Sequence, residues 1–388
     1  MDYLVKGGKV LEGTVQAQGA KNAALPLFAA SLLLDGPVVI HRVPEVQDIR
    51  TMAELLRLLG AKAEPLGGGS WLLDPRGLSS HRAPYEVVSK MRASIYVMAP
   101  LLAKLGKARV ALPGGCAFGP RPVNFHVEGL KALGVSVEQE RGELVAEGRP
   151  KGGAYEMPVR SVGATAQLMM AAVLAEGESL ILNASMEPEV VTLARFLKAA
   201  GAQIQGEERG IIKVKGVENL KSPGEFWNIP DRIETGTLLA AGLITGGRVR
   251  VEGAAPEDAE PYLVKFREMG AEVEEGPDWV ELRAPRRPRA TDVVTAPHPG
   301  FPTDMQPIIM AVMAVAEGVS TITETIYPDR FRHAFEMARL GAEIRVEPPK
   351  AIIYGVEKLS GAPVEGTDLR ATAGLVVAGL AAEGETKI

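Results

Sequence analysis

The feature that most constrains how this chain folds is an internal repeat of about 70 residues. In one part of the repeat, apolar residues lie three and four positions apart up to a glycine. After the glycine, apolar and polar residues alternate with a period of two. Its five copies lie at Leu55–Leu66, Leu130–Glu140, Phe196–Gly206, Phe266–Gly276 and Met337–Glu347. Each copy predicts a core-facing helix that ends at a C′ glycine and is followed by a strand.

The other part of the repeat is an Ala-rich apolar segment that begins with polar residues. Its six copies begin near Gly19, Met91, Val162, Arg232, Pro302 and Asp368. These segments are apolar nearly all round, so each predicts a buried helix. We expect each repeat to read strand, buried helix, strand, amphipathic helix, strand, in an α/β fold without a Rossmann-type glycine motif.

The length of 388 residues exceeds what one hydrophobic core normally supports, so we expect two domains with three repeats each. Pro230 interrupts a strand-like stretch within Asn228–Thr237, and we place a crossover between the domains there. The predicted domains are residues 21–229, and residues 1–20 together with 230–388.

Composition argues against several classes of function. The net charge of −5 disfavours a nucleic-acid binder, and no apolar stretch is long enough for a signal peptide or a membrane span. The single cysteine, Cys116, fits a reducing cytoplasm, and the five scattered histidines show no metal-ligand spacing. We therefore predict a cytoplasmic enzyme with no metal, no nucleic acid, no membrane and no obligatory protein partner.

Charged and polar residues concentrate at the predicted starts of the six buried helices. Cations among them are Lys21, Arg92 and Arg370, and also Arg232, for which a structural pair with Glu234 is the preferred interpretation. A cation is mildly unfavourable at the positive end of a helix dipole, so its recurrence predicts a bound phosphate or carboxylate. A salt bridge with a neighbouring acid, such as Asp368, is the alternative.

Three threonines also stand at these starts, and capping is the plainer interpretation for them. They are Thr165, Thr235 and Thr303. Their side chains belong to a class preferred at helix N-caps, so we expect them to cap their helices.

Cys116 lies in a loop, Leu112–Pro122, whose glycines and prolines exclude a helix or a regular strand. Nearby Arg121 would lower the pKa of the thiol and raise its thiolate fraction. The interpretation as a chemically active cysteine competes with the ordinary one, a small buried apolar side chain.

These motifs together resemble the UDP-N-acetylglucosamine 1-carboxyvinyltransferases. The segments that carry the resemblance are Gly19–Leu27, Met91–Ser94, Leu112–Val123, Ser161–Thr165, Pro230–Thr237, Phe301–Gln306, Ile322–His333 and Thr367–Ala371. The resemblance implies a two-domain inside-out α/β barrel with six βαβαββ-type repeats. It also implies transfer of the enolpyruvyl group of phosphoenolpyruvate to the 3′-hydroxyl of UDP-N-acetylglucosamine (UDP-GlcNAc), without a cofactor, and sensitivity to fosfomycin-type epoxides.

The same resemblance assigns roles to residues. Asp304 matches the base that takes the proton of the sugar hydroxyl, and Cys116 matches the acid that protonates C3 and adds covalently to phosphoenolpyruvate. The residues matched to phosphoenolpyruvate binding are Lys21, Asn22, Arg121 and Arg370. Those matched to UDP-GlcNAc are Arg92, Arg121, Pro122, Val123, Asn124, Phe125, Val159, Arg160, Ser161, Val162, Gly163, Asp304 and Ile326. Arg330 and Asp368 match polar neighbours of the site.

Two positions depart from the family pattern. Asn124 stands where the family commonly has Asp, and Phe125 where it often has Leu.

A further expectation concerns the end of the chain. The sequence contains six starts of buried helices but only five amphipathic helices that end at a glycine, and it stops at Ile388, within a predicted strand. We expect the last repeat to be truncated.

Three other functions remain as alternatives at this stage. One is a catalytically impaired, sugar-nucleotide-binding paralogue or fragment. The second is the shikimate-pathway enolpyruvyltransferase, which lacks this cysteine loop. The third is a nucleic-acid end-processing protein on a related repeat fold, which the acidic balance disfavours.

Overall fold

The computed structural model describes residues 2–112 and 123–388. The described chain forms two compact units, one of residues 19–112 and 123–229, and one of residues 2–18 and 230–388. The predicted domain bounds differ from these units by two residues at the first crossing, because Gly19 and Ala20 belong with the unit that continues into the first helix.

The α-helices begin and end close to where the repeat predicts them. In the described residues they are α1 (Lys21–Ala30), α2 (Gln47–Leu58), α3 (Tyr85–Val88), α4 (Met98–Leu105), α5 (Asn124–Ala132), α6 (Val162–Ala172), α7 (Pro188–Ala199), α8 (Arg232–Ile244), α9 (Pro256–Glu268), α10 (Gln306–Val315), α11 (Arg332–Arg339) and α12 (Leu369–Ala381). Short 3-10 turns precede α4 and α10, at Arg92–Val97 and Thr303–Met305.

The strands are short, from two to seven residues. In the described residues they are β1 (Leu4–Lys6), β2 (Glu12–Gln16), β3 (Val38–His41), β4 (Lys62–Gly67), β5 (Ser70–Asp74), β6 (Arg82–Ala83), β7 (Lys107–Ala111), β8 (Ser136–Glu140), β9 (Glu143–Glu147), β10 (Lys151–Glu156), β11 (Glu176–Leu182), β12 (Gln203–Gln205), β13 (Ile211–Lys215), β14 (Glu225–Trp227), β15 (Arg248–Glu252), β16 (Glu272–Glu275), β17 (Trp279–Arg283), β18 (Val293–Val294), β19 (Val319–Thr323), β20 (Glu343–Glu347), β21 (Lys350–Tyr354), β22 (Leu359–Ser360), β23 (Ala382–Glu383) and β24 (Glu385–Lys387).

Five four-stranded sheets share one topology. The sheet orders are β14-β3-β5-β4, β6-β7-β9-β8 and β10-β11-β13-β12 in the unit of residues 19–229, and β2-β15-β17-β16 and β18-β19-β21-β20 in the other unit. In each sheet the first two strands are parallel and the others antiparallel, as β6 with β7 and β7 with β9 show. The remaining strands of the second unit form the pairs β22-β23 and β1-β24.

Each complete repeat has one strand more than the residue pattern predicted. The amphipathic helix is followed by a hairpin, and the second strand of the hairpin lies between the other two antiparallel strands. In the second repeat the hairpin turns at Arg141 and Gly142, with φ angles of 48° and 81°. Two successive positive φ values are what a tight two-residue hairpin turn requires. This turn and those of β4-β5 and β20-β21 are only two residues long, so the pattern did not separate the two strands there. The β16-β17 and β12-β13 turns are three and five residues long, and in those repeats the predicted pattern stopped at the first strand of the hairpin.

All six predicted helices are present, and five of them are mostly buried; in α12 six of the thirteen residues are buried. In α10 every residue is buried, and in α6 every residue from Ala164 to Ala172 is buried. In the unit of residues 230–388, α8, α10 and α12 pack against one another. Each fully buried Leu, Ile, Val or Met side chain contributes about 1.5–3 kcal/mol, so these helices form the cores of the units.

The C′ glycines are also confirmed. The five are Gly60, Gly134, Gly201, Gly270 and Gly341, and their φ angles run from 81° to 102°. This left-handed conformation is strained for any residue with a Cβ atom, which explains why a glycine ends every amphipathic helix.

Two histidines occupy the same place in two repeats. His126 lies in α5 and His333 in α11, at equal distances along the chain from Gly134 and Gly341. Burial, with a smaller contribution from the charge of a neighbouring arginine, lowers the pKa of each imidazole from 6.5 to about 3. Both side chains are therefore neutral at pH 7.

In the described ranges, no helix has both the length and the apolar character needed to cross a lipid bilayer.

Replacing Gly201 by Ala should lower the free energy of unfolding by about 1–2 kcal/mol. No described atom lies within 4 Å of the added Cβ, so the cost comes from the φ of 101°. Denaturant unfolding measures it. Gly36→Ala is the matched control, because Gly36 is outside the left-handed region and its added Cβ would meet its nearest atom at an ordinary 3.8 Å. An equal loss in both variants would contradict this explanation.

The buried histidines make the protein sensitive to acid. Their folded pKa of about 3 lies below the ordinary 6.5, so between these values the unfolded state binds more protons than the folded state. The free energy of unfolding should therefore change little above pH 6.5 and fall below it, by about 2 kcal/mol for each histidine from pH 7 to pH 5. Unfolding curves of wild type and His333→Leu at both pH values test this. If the variant loses as much stability as wild type, the prediction is wrong.

Candidate active site

The carboxylate of Asp304 is held by two arginines. Asp304 lies in the 3-10 turn that leads into α10, with 27% of its side chain exposed. Arg330 Nη1 donates to its Oδ1 at 3.0 Å, and Arg370 Nε donates to its Oδ2 at 3.2 Å. The Arg330 side chain is 2% exposed and that of Arg370 is 14% exposed. Each oxygen of the carboxylate thus has its own guanidinium group.

Arg370 reaches this place because Asp368 begins helix α12. Asp368 Oδ1 accepts hydrogen bonds from the backbone N–H groups of Arg370 and Ala371, at 2.9 and 3.1 Å. The Asp368 carboxylate is therefore used as an N-cap. The acid that pairs with the Arg370 guanidinium is Asp304, which is distant in sequence, and not Asp368, which was the neighbouring acid considered as a partner.

The three threonines expected to be N-caps do not cap their helices. The side chains that accept first-turn N–H bonds are those of Ser161, Asp231 and Asp368. Thr165 and Thr235 lie four residues after Ser161 and Asp231, and their hydroxyls donate to the backbone carbonyls of those two residues. The prediction was wrong because a cap stands just before the first turn and these threonines lie within it.

Thr303, the third of these threonines, connects Arg330 to a buried acid. Its Oγ1 accepts a hydrogen bond from Arg330 Nη1 at 3.0 Å and donates to Glu324 Oε2 at 3.0 Å. Gln306 supports the same arginine, since its Nε2 donates to the Arg330 carbonyl oxygen at 2.8 Å. The turn before α10 is therefore tied to the segment that carries Arg330.

Glu324 is a residue that the sequence analysis did not single out. It is completely buried at the end of β19, and Thr295, Thr303 and the backbone N–H groups of Ile326 and Tyr327 all donate to its carboxylate. Hydrogen bonds to a charged acceptor contribute about 1.5–3 kcal/mol each, so four of them offset the several kcal/mol that burying one carboxylate costs. The only signal in the sequence was an acid between two threonines in the Ile322–His333 segment.

In the unit of residues 19–229, the cation at the start of α1 is paired with an acid on α2. Lys21 Nζ lies 2.8 Å from Asp48 Oδ2, and the Lys21 side chain is 18% exposed. Ala20, the N-cap residue, provides no side-chain hydrogen bond to the first turn of α1. The alternative of a salt bridge therefore holds for Lys21 in this structure, and the helix start keeps the polarity that attracts an anion.

The starts of α5 and α6 lie together around His126. A Cβ added to Gly163, in the first turn of α6, would lie 3.1 Å from His126 Nε2. Arg92 is close enough for its charge to contribute to the lowered pKa of His126. Most residues matched to the sugar nucleotide lie at these two starts: Val123, Asn124, Phe125, Ser161, Val162 and Gly163, with Val159 and Arg160 just before α6.

The predicted site residues are thus divided between the two units. The unit of residues 230–388 brings Asp304, Arg330 and Arg370 together. Asp368 accepts a hydrogen bond from the backbone of Arg370, and Ile326 donates its backbone N–H to Glu324. The other unit holds Lys21, Asn22, Arg92 and the residues at the starts of α5 and α6. Cys116, Arg121 and Pro122 lie outside the described residues.

In the part of the chain that the structure describes, no three His, Cys, Asp or Glu side chains group as the ligands of a metal ion would.

Comparison with known proteins adds sequence evidence to this geometry. Residues 5–388 match the family described as EPSP synthase (3-phosphoshikimate 1-carboxyvinyltransferase). The chain is 49% identical over 386 residues to a UDP-N-acetylglucosamine 1-carboxyvinyltransferase of Halorhodospira halophila, covering 99% of this chain and 92% of the relative. It is 50% identical over 386 residues to the protein of that name from Gloeobacter violaceus, covering 99% of this chain and 84% of the relative.

Solved structures share the fold. The enolpyruvyl transferase NikO from Streptomyces tendae has a TM-score of 0.90 and 24% identity, over 99% of this chain and 92% of NikO. EPSP synthase from Acinetobacter baumannii has a TM-score of 0.73 and 18% identity, over 100% of this chain and 93% of that protein. These likenesses confirm the predicted α/β fold as that of the enolpyruvyl transferases. Together with the sequence identities, they show that the chain belongs to the EPSP synthase family and, within it, to the UDP-N-acetylglucosamine 1-carboxyvinyltransferases.

Proposed function

We propose that this protein transfers the enolpyruvyl group of phosphoenolpyruvate to the 3′-hydroxyl of UDP-GlcNAc and releases inorganic phosphate. The names of relatives at 47–50% identity over nearly the full chain support this choice of substrates. The structural observation that carries the proposal is the partly exposed carboxylate of Asp304, held in one orientation by Arg330 and Arg370. We assign the reaction to the cytoplasm, at the first committed step of peptidoglycan synthesis, and thus to cell-wall formation and cell division.

The reaction needs one base and one acid. In the addition step the sugar hydroxyl gives its proton to Asp304, its oxygen bonds to C2 of phosphoenolpyruvate, and C3 takes a proton from the Cys116 thiol. In the elimination step C3 gives a proton back to the Cys116 thiolate, the C2–O bond to phosphate breaks and the double bond forms again. The proton held by Asp304 leaves with the phosphate, so both groups return to their starting states. The atoms balance without a redox cofactor or a metal ion.

Asp304 suits the role of base because it is both fixed and reachable. Arg330 is almost completely buried and holds Oδ1, while more than a quarter of the Asp304 side chain is exposed. A base must lie within hydrogen-bond reach of the proton that it takes. Arg370, which donates to Oδ2, is proposed to bind the substrate anion; Arg330 then holds the carboxylate at Oδ1 and keeps Oδ2 directed at the hydroxyl.

Arg370 and Lys21 are proposed to bind the anionic groups of phosphoenolpyruvate. Each is a cation at the start of a buried helix, and each is paired with a carboxylate, Asp304 or Asp48. Phosphate and carboxylate groups of a substrate offer the same kind of acceptor as these acids. We propose that Asn22 and Arg121 contribute to the same site.

The sugar nucleotide is proposed to bind at the starts of α5 and α6. Backbone N–H groups of a first helical turn point along the axis and favour an anion, and the diphosphate of UDP-GlcNAc carries that charge. Arg92, close to His126 at these starts, adds a cation that is suited to phosphate oxygens. Val159, Arg160, Pro122 and Ile326 complete the proposed contacts.

The function is tested by phosphate release in the presence of phosphoenolpyruvate and UDP-GlcNAc. We expect turnover with this acceptor and none with shikimate 3-phosphate, the acceptor implied by the family description.

Cys116→Ala should lose at least 100-fold in kcat, in line with the usual contribution of a general acid. A fosfomycin-type epoxide should add its mass at Cys116 in peptide mapping. Absence of phosphate release by wild type would refute the proposed function.

Asp304→Asn should lower kcat about 100- to 10,000-fold, because the amide cannot take the proton of the hydroxyl. Calorimetric binding of UDP-GlcNAc should change by less than about tenfold, since the substitution preserves size and one acceptor oxygen. Asp329→Asn is the matched control: it removes the same charge at an exposed site next to Arg330 and should stay within about twofold of wild type. Comparable losses in the two variants would show that Asp304 is not the base.

A further inference from the structure

We infer that Glu324 is a positioning residue for this reaction: its buried carboxylate orients Thr303, and through Thr303 the Arg330 guanidinium that holds Asp304. The inference rests on the proposed function, in which Asp304 takes the proton of the sugar hydroxyl. Glu324 itself has no assigned contact with either substrate.

The hydrogen bonds around Glu324 are unevenly divided between its two oxygens. Oε1 accepts from Thr295 Oγ1 at 2.8 Å and from the N–H groups of Ile326 and Tyr327 at 2.9 and 3.0 Å. Oε2 accepts from Thr303 Oγ1 at 3.0 Å. One oxygen therefore shapes the turn after β19, and the other faces the turn that carries Asp304.

The direction of the bonds at Thr303 follows from the chemistry of its neighbours. A guanidinium group only donates hydrogen bonds, so Thr303 Oγ1 must accept the one from Arg330 Nη1. The single hydroxyl proton of Thr303 is then available for Glu324 Oε2. The hydrogen bonds therefore all run in one direction, from Arg330 to Thr303 to Glu324. Donation to the Glu324 carboxylate polarises the Thr303 hydroxyl, which makes its oxygen a better acceptor for the Arg330 guanidinium.

This chain determines where Asp304 is held. Arg330 Nη1 donates both to Thr303 Oγ1 and to Asp304 Oδ1, each at 3.0 Å. The two acceptors together fix the guanidinium, and Thr303 directly precedes Asp304 in the same 3-10 turn. Loss of the Thr303 bond leaves Arg330 with one of these two acceptors, so Asp304 loses part of its orientation.

A purely structural role for Glu324, limited to stabilising the turn after β19, predicts different results. In that case the Thr295 hydroxyl, which donates to Oε1, should matter for catalysis as much as the Thr303 hydroxyl. Thr295 is buried and contacts the Glu324 carboxylate on the side of the turn. Thr295→Val is therefore the matched control for Thr303→Val, because each removes one hydroxyl donor from the same carboxylate.

The test is the steady-state kinetics of phosphate release with these variants. We expect Thr303→Val to lower kcat at least tenfold with less than a threefold change in the KM for UDP-GlcNAc. Thr303→Ser, which keeps the hydroxyl, should recover kcat to within about threefold of wild type. Thr295→Val should lower the melting temperature at least as much as Thr303→Val, because it also removes the acceptor of the Thr325 N–H group, but it should keep kcat within twofold.

A double-mutant cycle tests the link to Glu324. Glu324→Gln preserves shape and keeps an acceptor for the turn, but its amide N–H would face Thr303 and oppose the native bond direction. We expect Glu324→Gln to lower kcat at least as much as Thr303→Val, and the double variant to be no slower than the slower single variant. Equal kcat losses in Thr303→Val and Thr295→Val, or losses that multiply in the double variant, would overturn the inference.

Crystal structures of the two valine variants provide a readout that does not depend on turnover. In Thr303→Val the Arg330 Nη1 to Asp304 Oδ1 distance should exceed hydrogen-bond range, and in Thr295→Val it should stay near 3.0 Å. An unchanged distance in both would overturn the inference even if wild type is active. Inactive wild type would refute the proposed function, while the two crystal structures would still decide whether Glu324 positions Asp304.

Discussion

A helix that is apolar on every side has to be surrounded by protein, and this constraint governs both units of the molecule. Each buried helix presents no polar stripe along its length, so polar side chains of the helix gather near its first turn. The N–H groups of that turn lack partners within the helix and attract negative charge. The same packing that forms the cores therefore concentrates cations, acids and N–H groups without partners inside the helix at the helix starts.

Two of the cations at these starts are paired with carboxylates. Lys21 is held by Asp48, and Arg370 by Asp304, so neither cation stands alone in a partly buried place. Leaving a partly buried charge without a partner costs far more than an exposed ion pair gains. In the proposed function an anionic substrate takes the place of each carboxylate, so that Lys21 and Arg370 keep an anionic partner when phosphoenolpyruvate binds and after phosphate leaves.

The sequence predicted the elements that follow local rules. The buried helices and the C′ glycines were predicted because apolar periodicity and the need for a positive φ depend only on residues that are close together in the sequence. The second strand of each hairpin was missed, and in three of the five hairpins the reason is a two-residue turn, such as Arg141–Gly142, that interrupts the pattern only briefly. The partners of Arg370 and the role of Glu324 depend on residues far apart in the chain, 66 positions in the case of Asp304 and Arg370, so no local pattern contained them.

The polar starts of the buried helices are proposed to receive the substrates. Hydrogen–deuterium exchange with and without UDP-GlcNAc measures this, since first-turn amides lack partners within the helix and should exchange readily when UDP-GlcNAc is not added. We expect slower exchange on ligand addition at the starts of α5 and α6 and in the turn before α10, with unchanged exchange at the C-terminal ends of the same helices. Slowing confined to the helix ends or to the outer strands would contradict it.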